Sequence, residues 1–201
     1  MSHRTYDELR VQMIEYLFPT PIYYSEVDNL NEVQKELSDC VESIDFRMNP
    51  AWGKTHHLSD PCFKTNLIHH YNLKVFMKTL DLHLSRYCSE SGLSFKPYKI
   101  SSSWMSLFKQ DNYGHIHNHG GVDISGVYYF KTNQEDGKIF FLCPTPSMES
   151  SFHYQDLANR WEHKPMVGKL LLFPGWLSHG IETNETKDDR ISLSFNINFF
   201  R

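Results

Sequence analysis

NYGHIHNHGGVDISGVYYF, residues 112–130, sets three histidines at alternate positions, His115, His117 and His119, directly ahead of a run of β-forming residues. An extended backbone turns alternate side chains to one face, so any two of these imidazoles can reach a single ion. The spacing therefore predicts a strand that carries part of a metal site. A pair of ligands needs at least one more from elsewhere in the chain. His179, in LLLFPGWLSHGIETNETKDDRISLSFNINFF, is the candidate, and Arg190 follows it by eleven positions.

Around this stretch the chain after Pro97 reads as strands: YKISSSWMSLFK, ISGVYYF, GKIFFLC, KLLLF and RISLSFNINFF, separated by Gly, Asn and Pro turns. Apart from a turn near Tyr154–Trp161, no segment among them has a helical period. The part before Pro97 differs. In NLNEVQKELSDCVESI, Leu30, Val33, Leu37, Val41 and Ile44 recur at helical spacing, with Asn29 or Asn31 as the cap. A second helix spans NLKVFMKTLDLHLSRYCSES, its face formed by Leu73, Phe76, Met77, Leu80, Leu84 and Tyr87, with Gly92 as the stop. YLFPTPIYYSEV, broken by Pro19 and Pro21, reads as an edge strand, and 45–71 reads as irregular, with turns at Asn49-Pro50 and Asp60-Pro61. Helices first and many short strands afterwards predict an α+β fold, a sandwich or closed jelly-roll barrel with the helices buttressing one outer face. No helix alternates with the strands, which disfavours a parallel α/β sheet.

Two strands are informative in their alternation. In the last, Ile191, Leu193, Phe195, Ile197 and Phe199 share one face while Arg190, Ser192, Ser194, Asn196 and Asn198 share the other. The polar row either faces water or lines a cavity inside the barrel. Leu170–Phe173 is apolar on both faces and reads as fully buried, ended by Pro174-Gly175 just before the loop that delivers His179.

Composition bounds the rest. With 201 residues, 40% of them hydrophobic, the chain suits one domain, 1–201, with a helical and edge-strand part over 1–95 and a jelly-roll core over 96–201. A net charge of −4 without local Lys/Arg clusters argues against nucleic acid as a direct partner. No apolar run is long enough for a membrane span and the start lacks a signal-peptide core, so a soluble cytoplasmic protein is expected. Cys40, Cys62, Cys88 and Cys143 lack metal or disulfide spacing and read as reduced thiols. The adjacent pairs His56/His57 and His69/His70 point apart in either regular structure and are read as non-ligands.

Taken together, the HxH pair before SGVYY, the distal His179 and the RxS of Arg190 and Ser192 resemble the iron(II)- and 2-oxoglutarate-dependent oxygenases. With LFPTPIY near the start and LLFPGWLSH before RISLSFN, the chain is most similar to a branch of that superfamily found in bacteria and their phages. The resemblance implies a double-stranded β-helix of the jelly-roll, cupin-like type. It also implies Fe(II), 2-oxoglutarate and O2 as cofactor and cosubstrates, and hydroxylation of a C–H bond of an unidentified substrate with release of succinate and CO2. It places His117 as the first ligand and His179 as the distal one. Arg190 and Ser192 grip the far carboxylate of 2-oxoglutarate, with Tyr129 and Asn196 beside them.

The departure from the pattern is His119, which stands where the family has Asp or Glu. Three readings stay open. His119 is itself the third ligand; Asp123 folds back across Gly120-Gly121 to supply a carboxylate; or His115 and His117 form the pair and His119 stands outside it. Two other functions also compete, a three-histidine cupin-like dioxygenase that uses no oxoacid, and a noncatalytic jelly-roll binding module. Cys143–Pro165 is a long insertion suited to a lid, in which Arg160, Trp161 and His153 either touch substrate or simply pack, and the same choice holds for Trp104 and Ser106 on the strand before the histidines. The primary substrate is not legible, and a homodimer is left open.

Overall fold

The computed structural model describes residues 18–48, 50, 53, 55–60, 64–155 and 160–200. Tyr16, Leu17, Asn49, Pro61, Cys62 and the centre of the Tyr154–Trp161 turn lie outside them. In chain order the elements are β1 (Tyr23–Glu26), α1 (Leu30–Val41), β2 (Arg47–Met48), β3 (His57–Leu58), α2 (Leu67–His70), α3 (Lys74–Glu90), β4 (Tyr98–Phe108), β5 (Gly114–His117), β6 (Ile124–Lys131), β7 (Ile139–Phe141), β8 (Trp161–His163), β9 (Lys169–Pro174), β10 (His179–Ile181) and β11 (Arg190–Phe199). A short 3-10 helix over Pro146–Ser150 lies in the insertion.

Two antiparallel sheets result, β1-β9-β6-β11-β4-β3-β2 and β5-β10-β7-β8. The larger sheet is buried on both sides because its strands sort their side chains by period two. Outward residues, among them Met105, Tyr128, Leu170, Leu172, Leu193, Phe195 and Ile197, form one core with α1 and α3. Inward residues Val127, Tyr129, Leu171 and Phe173 pack with Ile139 and Phe141 of the smaller sheet. The apolar run Leu170–Phe173 thus serves two cores at once, which is why it shows no alternation.

The helices cover the outer face as their stripes require. Phe76 of α3 meets Tyr128 and Phe195 edge-on, each with ring centroids 5.7 Å apart, a favourable aromatic geometry. Gly92 ends the helix region at φ +70°, a conformation that favours glycine. β1 is an edge strand that pairs only with β9. Two local readings need correction. Asn29 precedes α1 but does not cap it with its side chain; its Oδ1 accepts from Thr79 Oγ1 at 3.0 Å instead, tying α1 to α3. The segment read as irregular contains α2 and the two-residue strands β2 and β3, which are too short for periodicity to reveal.

Among the described residues no helix is long and apolar enough to cross a membrane. Cys40 and Cys88 are buried free thiols, and Cys143 is a half-buried one.

His83, fully buried on α3, accepts or donates at Nδ1 with the Tyr23 hydroxyl at 2.7 Å, while its Nε2 has no partner. Burial, and then the Arg86 charge, hold its pKa below the ordinary value of 6.5, against the smaller pull of Asp28. The unfolded chain therefore binds the proton first, so stability present above the unfolded pKa is lost as pH falls through the folded one. In urea unfolding at about pH 7.5 and about pH 5.5, His83→Leu is expected to lose less stability on acidification than the parent protein.

Candidate metal centre

The smaller sheet builds the centre. β10 pairs with β5 so that His179 stands directly opposite His117. Two residues past the end of β5, His119 is fixed from both sides of its loop. Its own N–H donates to the Gly175 carbonyl at 2.8 Å, and the Gly175 N–H donates to the Asp123 carbonyl at 3.2 Å. A Cβ at position 175 would collide with the Val122 carbonyl, so this approach of the two loops needs glycine.

The outcome is a cluster in which one nitrogen of each of His117, His119 and His179 lies within 4.8 Å of those of the others, close enough to share one ion. Ring centroids are separated by 4.4 Å for His117 and His179, 5.0 Å for His117 and His119, and 5.3 Å for His119 and His179. Two of the tautomers follow from the backbone. His117 Nδ1 lies 2.7 Å from the His115 carbonyl and His179 Nδ1 lies 2.9 Å from the Leu177 carbonyl. A carbonyl only accepts, so both Nδ1 atoms carry the proton and both Nε2 atoms carry the lone pair a metal requires.

Burial keeps these rings neutral. It is the first cause of the fall in the His179 pKa to about 3 and in that of His119 to about 4, with His117 adding to both, and it lowers His117 as well.

The other two candidate ligands are placed elsewhere. The pairing of β5 with β10 steps three residues on β5, His117 to Gly114, against two on β10, His179 to Ile181. This bulge breaks the alternation and turns His115 outward, against Tyr113 at 5.1 Å and into a surface pocket with Arg160 and Glu182. Asp123 Oδ2 accepts from the Phe199 backbone N–H at 2.8 Å, and the residue lines a different pocket, with Trp176 and Phe200.

The three histidines open on a cavity of about 270 Å³ between the sheets. Its floor is the inward row of β4, β11 and β6, including Trp104, Ser106, Phe108, Ser194 and Asn196. The polar row of β11 accordingly faces the interior, not water. Arg190 does not line this cavity directly. It is buried beneath it, with its guanidinium 4.2 Å from the centroid of Phe108, which does. Arg190 Nη1 donates to the carbonyls of Asp136 at 3.1 Å and Gly137 at 2.6 Å. Among the described residues its Nε and Nη2 have no hydrogen-bond partner. Burial lowers its pKa, partly opposed by nearby Tyr129 and Asp136. Asp136 makes no side-chain bond to it, because its carboxylate accepts from Thr132 Oγ1 and the Asn133 N–H in the β6–β7 turn.

Ser192 and Tyr129 are buried cross-strand partners on the same face, and burial first pushes the Tyr129 pKa up to about 12. Asn196 lies at the other end of the row. Its Oδ1 accepts from Ser125 Oγ at 2.8 Å and its Nδ2 donates to Ser102 Oγ at 2.9 Å.

His56 also lines the cavity, stacked on Phe108 at 4.6 Å, a placement its sequence neighbours did not signal. Of the insertion, none of the described residues lines the cavity. Trp161 and His163 extend the smaller sheet through β8, and Arg160 pairs with Glu162 and Glu182.

Residues 102–196, which hold all three histidines, match the model of the family described as "Putative 2OG-Fe(II) oxygenase". A search of curated protein sequences gave no match. Among solved structures, the chain is similar to the non-heme alpha ketoglutarate dependent epimerase SnoN from nogalamycin biosynthesis, at 13% identity and a TM-score of 0.61 over 88% of this chain and 77% of that one. It is likewise similar to HygX from Streptomyces hygroscopicus with nickel and 2-oxoglutarate bound, at 14% identity and TM-score 0.57 over 89% and 83%. A third is a Pseudomonas putida prolyl-4-hydroxylase, at 12% identity and TM-score 0.54 over 90% and 93%. These likenesses establish the fold, a double-stranded β-helix.

The different placements of His119 and Asp123 separate their roles in an experiment. His119→Ala should weaken Co(II) binding, measured calorimetrically, by about tenfold or more. Asp123→Asn should leave that affinity within about twofold, while costing about 1–2 kcal/mol of stability through its charge-assisted bond to Phe199 N–H.

Proposed function

We propose that this chain, whose residues 102–196 match the 2OG-Fe(II) oxygenase family model, is a member of that family, binds iron through His117, His119 and His179 and anchors 2-oxoglutarate on Arg190. Iron(II) and 2-oxoglutarate are the cofactor and cosubstrate of this family. With O2 they supply the oxidising power that hydroxylates a C–H bond and releases succinate and CO2.

The protein's part is to hold and to exclude. His117 and His179 are aimed by their backbone carbonyl partners, and His119 by the loop that leans on Gly175. These three side chains would hold the iron, which would supply the redox chemistry once the oxoacid and O2 are bound. With an imidazole in place of the usual carboxylate, the loaded centre carries one more unit of positive charge than a typical relative's. Arg190 takes the far carboxylate through its fork, assisted by Ser192 and Tyr129, while buried Phe108, lying against the guanidinium, keeps that end dry. We place this chemistry in one domain spanning the chain, since α1, α3 and both sheets share their cores. Its buried free thiols suit the cytoplasm.

The observation that carries the reading is Arg190. It is 1% exposed, without a side-chain counter-ion bonded to it, and two of its three nitrogens lack acceptors. A buried guanidinium with free donors favours an anion supplied from outside. Neither a three-histidine dioxygenase without oxoacid nor a binding module calls for it.

Magnitude makes the test decisive. An exposed ion pair contributes about 0–1 kcal/mol, but removing one partner of a buried pair costs about 3–5 kcal/mol. Under anaerobic conditions, Fe(II) and 2-oxoglutarate together should give the weak visible charge-transfer band of a chelated oxoacid. Arg190→Ala should raise the 2-oxoglutarate concentration for half-formation by about a hundredfold or more, and Arg190→Lys by less. A shift under about threefold would remove the cosubstrate assignment. A protein that binds iron but never forms the band would instead be the oxoacid-independent enzyme.

A further inference from the structure

The inward row of β11 is a ruler along the cavity. Its register sets Ser192 beside Ser106 and Tyr129, Ser194 beside Trp104 and Val127, and Asn196 beside Ser102 and Ser125. The Trp104 ring lies 5.9 Å from that of His119, so the histidine cluster sits over the Trp104–Ser194 level. Arg190 lies on one side of that level and Asn196 on the other.

The two ends differ in access. Toward Arg190, Ser106, Phe108 and Ser192 are all buried, and the barrel is closed. At the histidine level Trp104, Ser194 and His119 keep partial exposure, and so does Ser102 toward Asn196, which makes this the more open side of the row. The ends also lie too far apart for one small diacid. Six residues of strand separate Arg190 from Asn196, about 20 Å of extended chain. A five-carbon cosubstrate held at Arg190 does not reach Asn196, which moves this residue away from the cosubstrate role its strand position suggests.

We propose that Asn196, with Ser102 and Ser125, is the docking end for the primary substrate, and that it takes an uncharged group which both donates and accepts hydrogen bonds, such as a carboxamide. This rests on the assignment of the metal centre and of Arg190 given above. Asn196 is 6% exposed and held still by the two serines, which use one acceptor site and one donor of its side-chain amide. The amide has two donors and two acceptor sites in all, so one of each remains. The residues that line the cavity include no Asp, Glu, Lys or Arg. A charged group brought to this end would meet no side-chain counter-ion, whereas a neutral amide can use both free sites of Asn196. The Trp104 ring beside the row offers a flat apolar wall to whatever the neutral group is attached to.

The test uses protein loaded with Mn(II) and 2-oxoglutarate and follows methyl-proton relaxation of acetamide, acetate and methylammonium by NMR. The paramagnetic ion speeds relaxation only of probes that dwell near it. Acetamide should show a saturable enhancement that falls by about fivefold in Asn196→Leu, the loss of roughly one hydrogen bond. 2-Oxoglutarate binding should stay within about threefold of the parent. Ser102→Ala, which removes only one hydroxyl, should move acetamide the same way and serves if the leucine variant does not fold. The proposal is overturned if acetamide enhancement is absent or unchanged by both variants, or if acetate or methylammonium shows the larger Asn196-dependent part. It is also overturned if Asn196→Leu weakens 2-oxoglutarate as Arg190→Ala does. Failure of the parent protein to bind Mn(II) and 2-oxoglutarate at all would sink the earlier assignment instead.

Discussion

β11 is held between β4 and β6 along almost its whole length, and this clamp forces its side chains into two sets with no intermediate choice. One set, Ile191, Leu193, Phe195 and Ile197, seals the larger sheet against α1 and α3. The other, Arg190, Ser192, Ser194 and Asn196, is thereby committed to the space between the sheets. A slip of one residue would exchange the two sets, placing a guanidinium under the helices and phenylalanine at the cavity floor. The large apolar set makes that exchange prohibitive, so the packing of one face fixes the chemistry of the other. The glycine opposite reinforces it: a Cβ at Gly126 would strike the Phe195 ring, so strand and side chain interlock in one register.

The interior that results is electrically one-sided. The centre gathers three imidazoles and no carboxylate, and the one guanidinium beneath it is bonded to carbonyls. Asp136, the nearest acid to Arg190, is held by its own turn. Burial disfavours the charged form of every one of these bases. An interior arranged this way offers hydrogen-bond donors and lone pairs but no acidic side chain among the described lining residues.

Much of this was legible in the chain. Alternation in 190–199 and its absence in 170–173 gave the two faces of the sheet, and period 3.6 in α3 gave the helix that covers it. The meeting of His117 with His179 was readable as spacing and order, since strand ends of a barrel converge. Other features were not legible, for physical reasons. Which of His119, Asp123 and His115 joins the pair depends on a bulge and on a loop contact at Gly175, and neither leaves a periodic trace. His56 arrives at the cavity from the bend just before a two-residue strand, which leaves no periodic trace. Asn196 looked like a neighbour of Arg190 because a sequence motif lists residues in order. In a strand that order is distance, and the register sets Asn196 three inward positions along from Arg190.

The bulge in β5 has one more effect. An unbroken pleat would have turned His115 inward along with His117, bringing a fourth imidazole toward the ion. Four nitrogen donors close a tetrahedral shell, the arrangement of metals that only brace a fold. By admitting Gly114 in that place, packed closely on Ile181, the extra residue leaves the cluster at three imidazoles. One unpaired residue in a four-residue strand thus sets how many imidazoles meet here.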